Sequence, residues 1–187
     1  STTSLKYPLS LIRQHLYFEG LDQLKKSLSC HSISFSDVMI ALYKELIDDY
    51  DNLSLRLIIA DLFISKQAYQ DAVTELQEIF DLDPHFTALY PYLNKIYRLG
   101  HYRPLIQSIF HDAFSQNIRE SSVVDLLSTF HLDQSSYATC ISFFKALDTH
   151  APHTISTIKT LAELFYRDNQ PETACSYYQT LLELDPN

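Results

Sequence analysis

A pattern that returns every 34 residues constrains the fold of this chain more than any other feature. In residues 57–84, LIIADLFISKQAYQDAVTELQEIFDLDP, apolar residues recur three and four positions apart in two blocks. This spacing predicts two amphipathic helices joined by a short polar turn. Pro84 closes the second block, where it cannot continue a helix. Pro152 and Pro186 close later copies of the same pattern.

The copies stay in register when frames begin at Leu53, Thr87, Ser121 and Ile155. The twentieth position is small in three of the four frames, with Ile106 as the exception in the second. The twenty-fourth position is bulky, and its residues are Leu76, Phe110, Phe144 and Tyr178. A fixed period of this length indicates a stacked-repeat protein. Small residues let paired helices approach closely, and bulky ones fill the space between neighbouring hairpins.

These features resemble the tetratricopeptide repeat (TPR). The resemblance rests on the period, the small-residue column, the aromatic eleventh position and the Leu-Asp-Pro endings; the aromatic residues are Phe63, Tyr97 and Phe165. It covers residues 53–187 and implies an all-α fold, a superhelical array of antiparallel helix hairpins (an α-solenoid). We therefore expect four repeats at 53–86, 87–120, 121–154 and 155–187, forming one continuous domain. A capping helix and a degenerate repeat are expected to precede them in residues 1–52.

The helix limits follow from the frame and from local stop signals. For the N-terminal region we expect helices at about 8–19, 21–29 and 36–49, with Gly20 breaking the first from the second. For the repeats we expect helices at about 53–66, 69–82, 87–99, 103–116, 121–132, 136–149, 154–168 and 171–184. Pro91 should delay or kink its helix, whereas Pro104 and Pro171 open theirs, where a missing N–H is tolerated.

Composition excludes several classes of protein. A net charge of −9 disfavours binding through the phosphate backbone of nucleic acids, so an RNA-binding helical repeat is a disfavoured reading. Only two glycines leave no Gly-rich phosphate loop, and no apolar run is long enough to span a membrane. Cys30, Cys140 and Cys175 are predicted to be packed, reduced thiols, which indicates a cytoplasmic protein.

A search for chemistry gives no recognisable catalytic constellation, so we expect no enzyme, cofactor or metal site. His150 and His153, with Asp148 nearby, are interpreted as an exposed turn, because two more ligands would be needed for zinc. The acidic cluster Asp48, Asp49 and Asp51 is interpreted as a solvated turn. His131 occupies a packing position and should be buried and hydrogen-bonded. Tyr90, Tyr92 and Tyr97 are interpreted as core or groove wall rather than as a base-stacking platform.

The TPR resemblance implies a concave groove, lined by the first helix of each hairpin, that binds a peptide or helix of a partner protein. The groove residues it implies are Leu57, Asp61, Ile64, Tyr92, Lys95, Arg98, Asp125, Thr129, Asp133, Lys159, Glu163, Tyr166 and Arg167. The clamp for a C-terminal carboxylate needs Lys and Asn where this chain has Leu57, Asp61 and Tyr92, so no chaperone-tail clamp is predicted.

The function expected from this reading is a non-enzymatic protein–protein interaction scaffold. The basic residues Lys95, Arg98 and Arg103 could attract an acidic peptide segment. The alternative is a TPR module of a larger enzyme or secretion-type chaperone whose activity lies outside this chain. Because the sequence stops directly after a well-formed repeat, we expect either a fragment of a longer protein or self-association through the uncapped C-terminal repeat.

Overall fold

The computed structural model describes residues 5–150 and 155–186, without the side chains of residues 149 and 150. The described residues form eleven α-helices and no strand, so the predicted all-α fold is confirmed. The helices are α1 (Lys6–Arg13), α2 (Tyr17–Ser29), α3 (Phe35–Asp48), α4 (Leu53–Ser65), α5 (Tyr69–Leu82), α6 (Leu89–Arg98), α7 (Arg103–Ser115), α8 (Ser121–Gln134), α9 (Tyr137–His150), α10 (Ile155–Arg167) and α11 (Pro171–Leu184). The chain divides into two compact units, with unit 1 ending at Ile106 and unit 2 beginning at Gln107.

The eight helices predicted after residue 52 are all present, with ends within a few residues of the expected ones. Pro91 has the predicted effect, because α6 begins only at Leu89 and the proline becomes its third residue. In the first turn of a helix a backbone N–H has no acceptor within the helix, so the N–H that proline lacks costs no hydrogen bond. Pro104 and Pro171 are the second and first residues of their helices, also as predicted.

The prediction that Gly20 breaks a helix is wrong. The first helix ends at Arg13, and Gly20 lies inside α2, where it is buried. A Cβ at this position would lie 2.7 Å from Cγ1 of Ile12 and 3.2 Å from the carbonyl oxygen of Pro8. The glycine therefore allows α1 and α2 to pack at close range, a tertiary role that outweighs its low helix propensity.

Six helices end in the same turn, in which a residue with positive φ closes a Schellman motif. At the end of α4, the N–H of Gln67 donates to the carbonyl of Ile64, and that of Ala68 donates to the carbonyl of Phe63, both at 2.9 Å. The residues with positive φ in these turns are His15, His31, Gln67, Gly100, Asn117 and Asn169. One of the six is glycine and two are asparagine, the residues that adopt the left-handed conformation most readily, whereas His15, His31 and Gln67 are strained in it.

We expect Gln67→Gly to stabilise unit 1 by about 0.5–1 kcal/mol, because glycine adopts φ +58° without a Cβ clash. The matched opposite change is Gly100→Ala. Its Cβ would meet nothing within 4 Å, so the left-handed φ of +91° alone should destabilise by about 1 kcal/mol. Urea unfolding followed by circular dichroism measures both changes. Equal signs for the two substitutions would contradict this account.

The core of unit 1 contains one buried ion pair, between Arg56 of α4 and Glu75 of α5. Nη1 of Arg56 lies 3.0 Å from Oε2 of Glu75, and Nε of Arg56 donates to the carbonyl of Tyr50. The other carboxylate oxygen of Glu75 accepts a hydrogen bond of 2.7 Å from the hydroxyl of Tyr43 on α3. Burial and this acceptor raise the pKa of Tyr43. The pair thus joins three consecutive helices, and both carboxylate oxygens of Glu75 accept a hydrogen bond.

The core of unit 2 contains His131, which is buried as predicted, with its Nδ1 2.8 Å from the hydroxyl of Ser135. Its ring packs against Phe143, with the ring centroids 4.6 Å apart. Burial, and secondly the nearby His111, lower the pKa of His131. The side chain is therefore a neutral packing residue at neutral pH.

The cysteine prediction holds for one residue of three. Cys140 is a buried free thiol, and burial raises its pKa. Cys30 and Cys175 are exposed, so the prediction that they are packed is wrong. Cys30 directly follows the last residue of α2, and the packing position beside Cys175 is occupied by Ala174, which is 1% exposed.

Candidate peptide-binding surface

One side of unit 1 is built by the first helices of successive hairpins, α2, α4 and α6. Lys25 is the ninth residue of α2, and Asp61 is the ninth residue of α4. Nζ of Lys25 lies 2.6 Å from Oδ1 of Asp61, and the hydroxyl of Tyr92 on α6 donates to Oδ2 at 2.8 Å. One carboxylate therefore links all three helices. We call the surface formed by Lys25, Leu57, Asp61, Ile64, Tyr92 and Lys95 the α2–α4–α6 face.

The link is partly shielded from water. The side chain of Asp61 is 14% exposed, whereas that of Lys25 is 45% exposed. Burial, and then the hydrogen bond to Asp61, raise the pKa of Tyr92, so its phenol remains a donor at neutral pH. The three side chains divide the face into two clefts, one on each side of Tyr92.

The larger cleft is lined mainly by apolar side chains and has a volume of about 480 Å³. We call it the apolar cleft; its apolar lining includes Leu16, Phe18, Leu21, Leu57, Ile58 and Phe86. Phe18 is 73% exposed and Leu16 is 40% exposed. Large apolar side chains at such exposure, gathered around a concavity, are typical of a site that binds another molecule.

The smaller cleft lies at the carboxyl-terminal ends of the same helices and has a volume of about 190 Å³. We call it the basic cleft, because Lys25 and Lys95 are on its rim with Asp61 between them. Ile64 and Tyr69 provide apolar lining. Arg98 is exposed one helical turn beyond Lys95 but does not line the cleft.

The structure brings five of the predicted groove residues together on this face, namely Leu57, Asp61, Ile64, Tyr92 and Lys95. Of the three tyrosines interpreted as core or groove wall, Tyr90 is fully buried and Tyr92 lines both clefts. Whether these residues bind a peptide stays a prediction.

In unit 2 the predicted residues are more scattered. Asp125 lines a cleft of about 480 Å³ together with Ser128, Leu132 and Thr160. The other predicted residues are exposed and do not line it; they are Thr129, Asp133, Lys159, Glu163, Tyr166 and Arg167. The groove assignment for unit 2 stays a prediction.

Sequence reasoning missed the contribution of α2 to the face. A frame starting at Glu19 places Lys25 and Lys26 at core positions, but α2 begins at Tyr17. The turn from α2 to α3 has five residues, 30–34, whereas the turn from α4 to α5 has three, 66–68. Allowing for a longer turn would have placed Lys25 in register with Asp61, and Phe18 near the groove.

No family model matches the sequence, and no curated protein is detectably similar to it. Solved structures do match. A structure of MamA from AMB-1 is 12% identical over 100% of this chain and 92% of its own, with a TM-score of 0.55. A second MamA crystal structure is 16% identical over 90% of each chain, with a TM-score of 0.53.

YrrB, described as a TPR protein with an unusual peptide-binding site, is 11% identical over 98% of this chain and 86% of its own, with a TM-score of 0.51. The chain has the TPR fold. At these identities the likeness concerns the fold alone. The TPR fold accounts for the 34-residue period and for the alignment of α2, α4 and α6 along one face.

Among the described residues, no three His, Cys, Asp or Glu side chains are placed to hold a metal ion, and Asp48, Asp49 and Asp51 are exposed. His153 and the side chain of His150 lie outside the described residues. None of the described helices is both long enough and apolar enough to cross a membrane.

The last helix presents a further apolar surface. Leu182 is 63% exposed, Leu184 is 51% exposed and Tyr178 is 38% exposed. Self-association through this helix stays a prediction, because nothing on its surface identifies what covers it.

Proposed function

We propose that this protein is a non-enzymatic interaction scaffold whose α2–α4–α6 face binds a segment of a partner protein. The observation that carries the proposal is the bridge from Lys25 through Asp61 to Tyr92, with a cleft on each side of it. This bridge fixes the three helices that border both clefts. A partner segment laid across them would contact preformed walls.

The two clefts have the character of a protein-binding site rather than of an active site. Their walls combine exposed aromatic and aliphatic side chains with a few charges, the mixture found at the centre and rim of protein interfaces. The recognition of peptides by YrrB, another protein with this fold, supports the same reading. We propose a cytoplasmic location, because all three cysteines are free thiols and two of them, Cys30 and Cys175, are exposed.

Quantitative affinity capture tests this proposal with three baits. The first is the unaltered chain. The second carries Ser54→Glu and Lys95→Glu, which introduce a carboxylate into the apolar cleft and reverse one charge of the basic cleft. Ser54 is the second residue of α4, where glutamate is favourable, so the helix should be kept. The third bait carries Lys44→Glu, a charge reversal at an exposed position of α3 that borders neither cleft.

We expect partner proteins captured by the unaltered chain and by the Lys44→Glu bait to be depleted from the double variant. Cross-linking of a captured partner should then modify Lys25 and Lys95 in preference to Lys44. Equal capture by all three baits would contradict binding at the α2–α4–α6 face. Circular dichroism of each bait shows whether the fold is retained.

A further inference from the structure

We infer that the segment bound by the α2–α4–α6 face carries a large apolar side chain and, about three residues away, an acidic one. The apolar side chain enters the apolar cleft, and the carboxylate meets Lys95 and Lys25 at the basic cleft. This inference rests on the proposed function and adds to it the chemistry of the partner and the spacing of its anchors.

The apolar anchor follows from the shape and lining of the apolar cleft. A volume of about 480 Å³ is larger than one leucine or phenylalanine side chain needs, and the cleft is open at Phe18. Seating an apolar side chain there would remove Phe18, Leu16 and Phe86 from water along with it. Burial of that kind is the main source of affinity at such sites.

The acidic anchor follows from the charge on the other side of Tyr92. Asp61 already uses both carboxylate oxygens, one on Lys25 and one on Tyr92. Lys95 has no ion pair or hydrogen bond within the described part of the chain, and its neighbour Arg98 adds a second positive charge one turn away. In a chain of net charge −9 this is a local basic rim. It favours an acidic group and repels a basic one.

The spacing of the two anchors follows from helix geometry. Ala88 borders the apolar cleft and Lys95 borders the basic cleft. Seven helical residues span about 10 Å, at about 1.5 Å per residue. An extended peptide advances about 3.3 Å per residue, so about three residues cover this distance. The acidic residue should therefore lie about two to four residues from the apolar anchor.

The test uses the unaltered chain and a displayed library of random peptides of about ten residues, which extend to about 33 Å and therefore reach both clefts. Selected peptides are synthesised with a fluorescein label, and their affinities are measured by anisotropy. Hydrogen exchange of the complex shows which helices each peptide protects. The variants are Ser54→Glu, Lys95→Glu and, as the matched charge control, Lys44→Glu.

We expect enriched peptides to carry Leu, Phe, Tyr or Trp with Asp or Glu two to four positions away, and to protect α2, α4 and α6. Lys95→Glu should weaken their binding about tenfold, and replacing the peptide carboxylate with its amide should remove most of that difference. Ser54→Glu should weaken binding by a factor of about ten to a hundred. Lys44→Glu should leave affinity within about twofold, and rising salt should weaken only the carboxylate-dependent part.

Different results would refute the inference and the proposed function separately. Peptides that protect the α2–α4–α6 face but lack the acidic residue, or that bind equally after Lys95→Glu, would refute the inference and leave the scaffold function standing. Selected peptides that protect only other helices would refute the proposed function itself. Enrichment of basic peptides on this face would contradict the charge argument directly.

Discussion

Replacing Glu75 with alanine should destabilise unit 1 by about 3–5 kcal/mol. The substitution leaves the guanidinium of Arg56, which is 4% exposed, without its carboxylate. It also removes the acceptor for the hydroxyl of Tyr43. A buried charge without a partner loses its hydration and gains nothing in return, so the loss exceeds that of an ordinary hydrogen bond.

Hydrogen exchange of α4 and α5 measures this loss locally, which is preferable because two compact units need not unfold in one step. The matched control is Glu78→Ala, on the same helix and three residues after Glu75. Glu78 accepts a hydrogen bond from the exposed Tyr50 hydroxyl, so its removal should have a far smaller effect.

The double substitution Arg56→Leu with Glu75→Leu separates charge from packing. It removes both charges and places apolar side chains at the same sites, so it should recover most of the stability lost in Glu75→Ala. The hydroxyl of Tyr43 would still lack its acceptor and would limit the recovery. A loss for Glu75→Ala no greater than that for Glu78→Ala would show that the buried pair is not important for stability.

Gly20→Val is expected to cost about 1–3 kcal/mol in the packing of α1 on α2. The added Cβ would overlap Cγ1 of Ile12, and the carbonyl oxygen of Pro8 leaves little room for α2 to shift. The expected readout is a selective loss of hydrogen-exchange protection in α1 and the first half of α2, with α4 and α5 little changed.

Ile12→Ala in the Gly20→Val background should restore part of the packing, because it removes the nearest atom while the Pro8 carbonyl stays in place. Lys26→Val controls for the presence of valine in α2, since Lys26 is exposed and paired only with Asp22 on the same helix. If the Lys26 variant were as destabilised as the Gly20 variant, helix propensity rather than close packing would be the cause.

The repeat period was sufficient to predict the fold class and the eight helices from Leu53 onward. It succeeded because apolar side chains spaced three and four residues apart lie on one face of a helix, and that face is the buried one. Leu76, Ile79 and Leu93 are examples of such buried residues. The prediction that proline lies in the first turn of a helix was also correct at Pro91 and Pro171. This preference depends only on the proline's own backbone and not on distant residues.

Predictions failed where contacts between residues far apart in the sequence determine the structure. Gly20 has the same local signal as a helix breaker, and only the position of Ile12 shows that it is a contact point. Lys25 could not be recognised as a groove residue while the frame of α2 was misplaced by two residues. The apolar cleft depends on Leu16 and Phe18 meeting Phe86 from a different hairpin, a juxtaposition that no local pattern contains.

The bridge made by Asp61 affects both the affinity for a ligand and the rate of its association. Because one carboxylate ties α2 to α6 through α4, the distance between the outer helices is already set in the free protein. A ligand would then lose little affinity to ordering its receptor. Association would resemble the docking of two preformed shapes, with the lifetime of the complex decided by its anchors rather than by a slow rearrangement of the repeats.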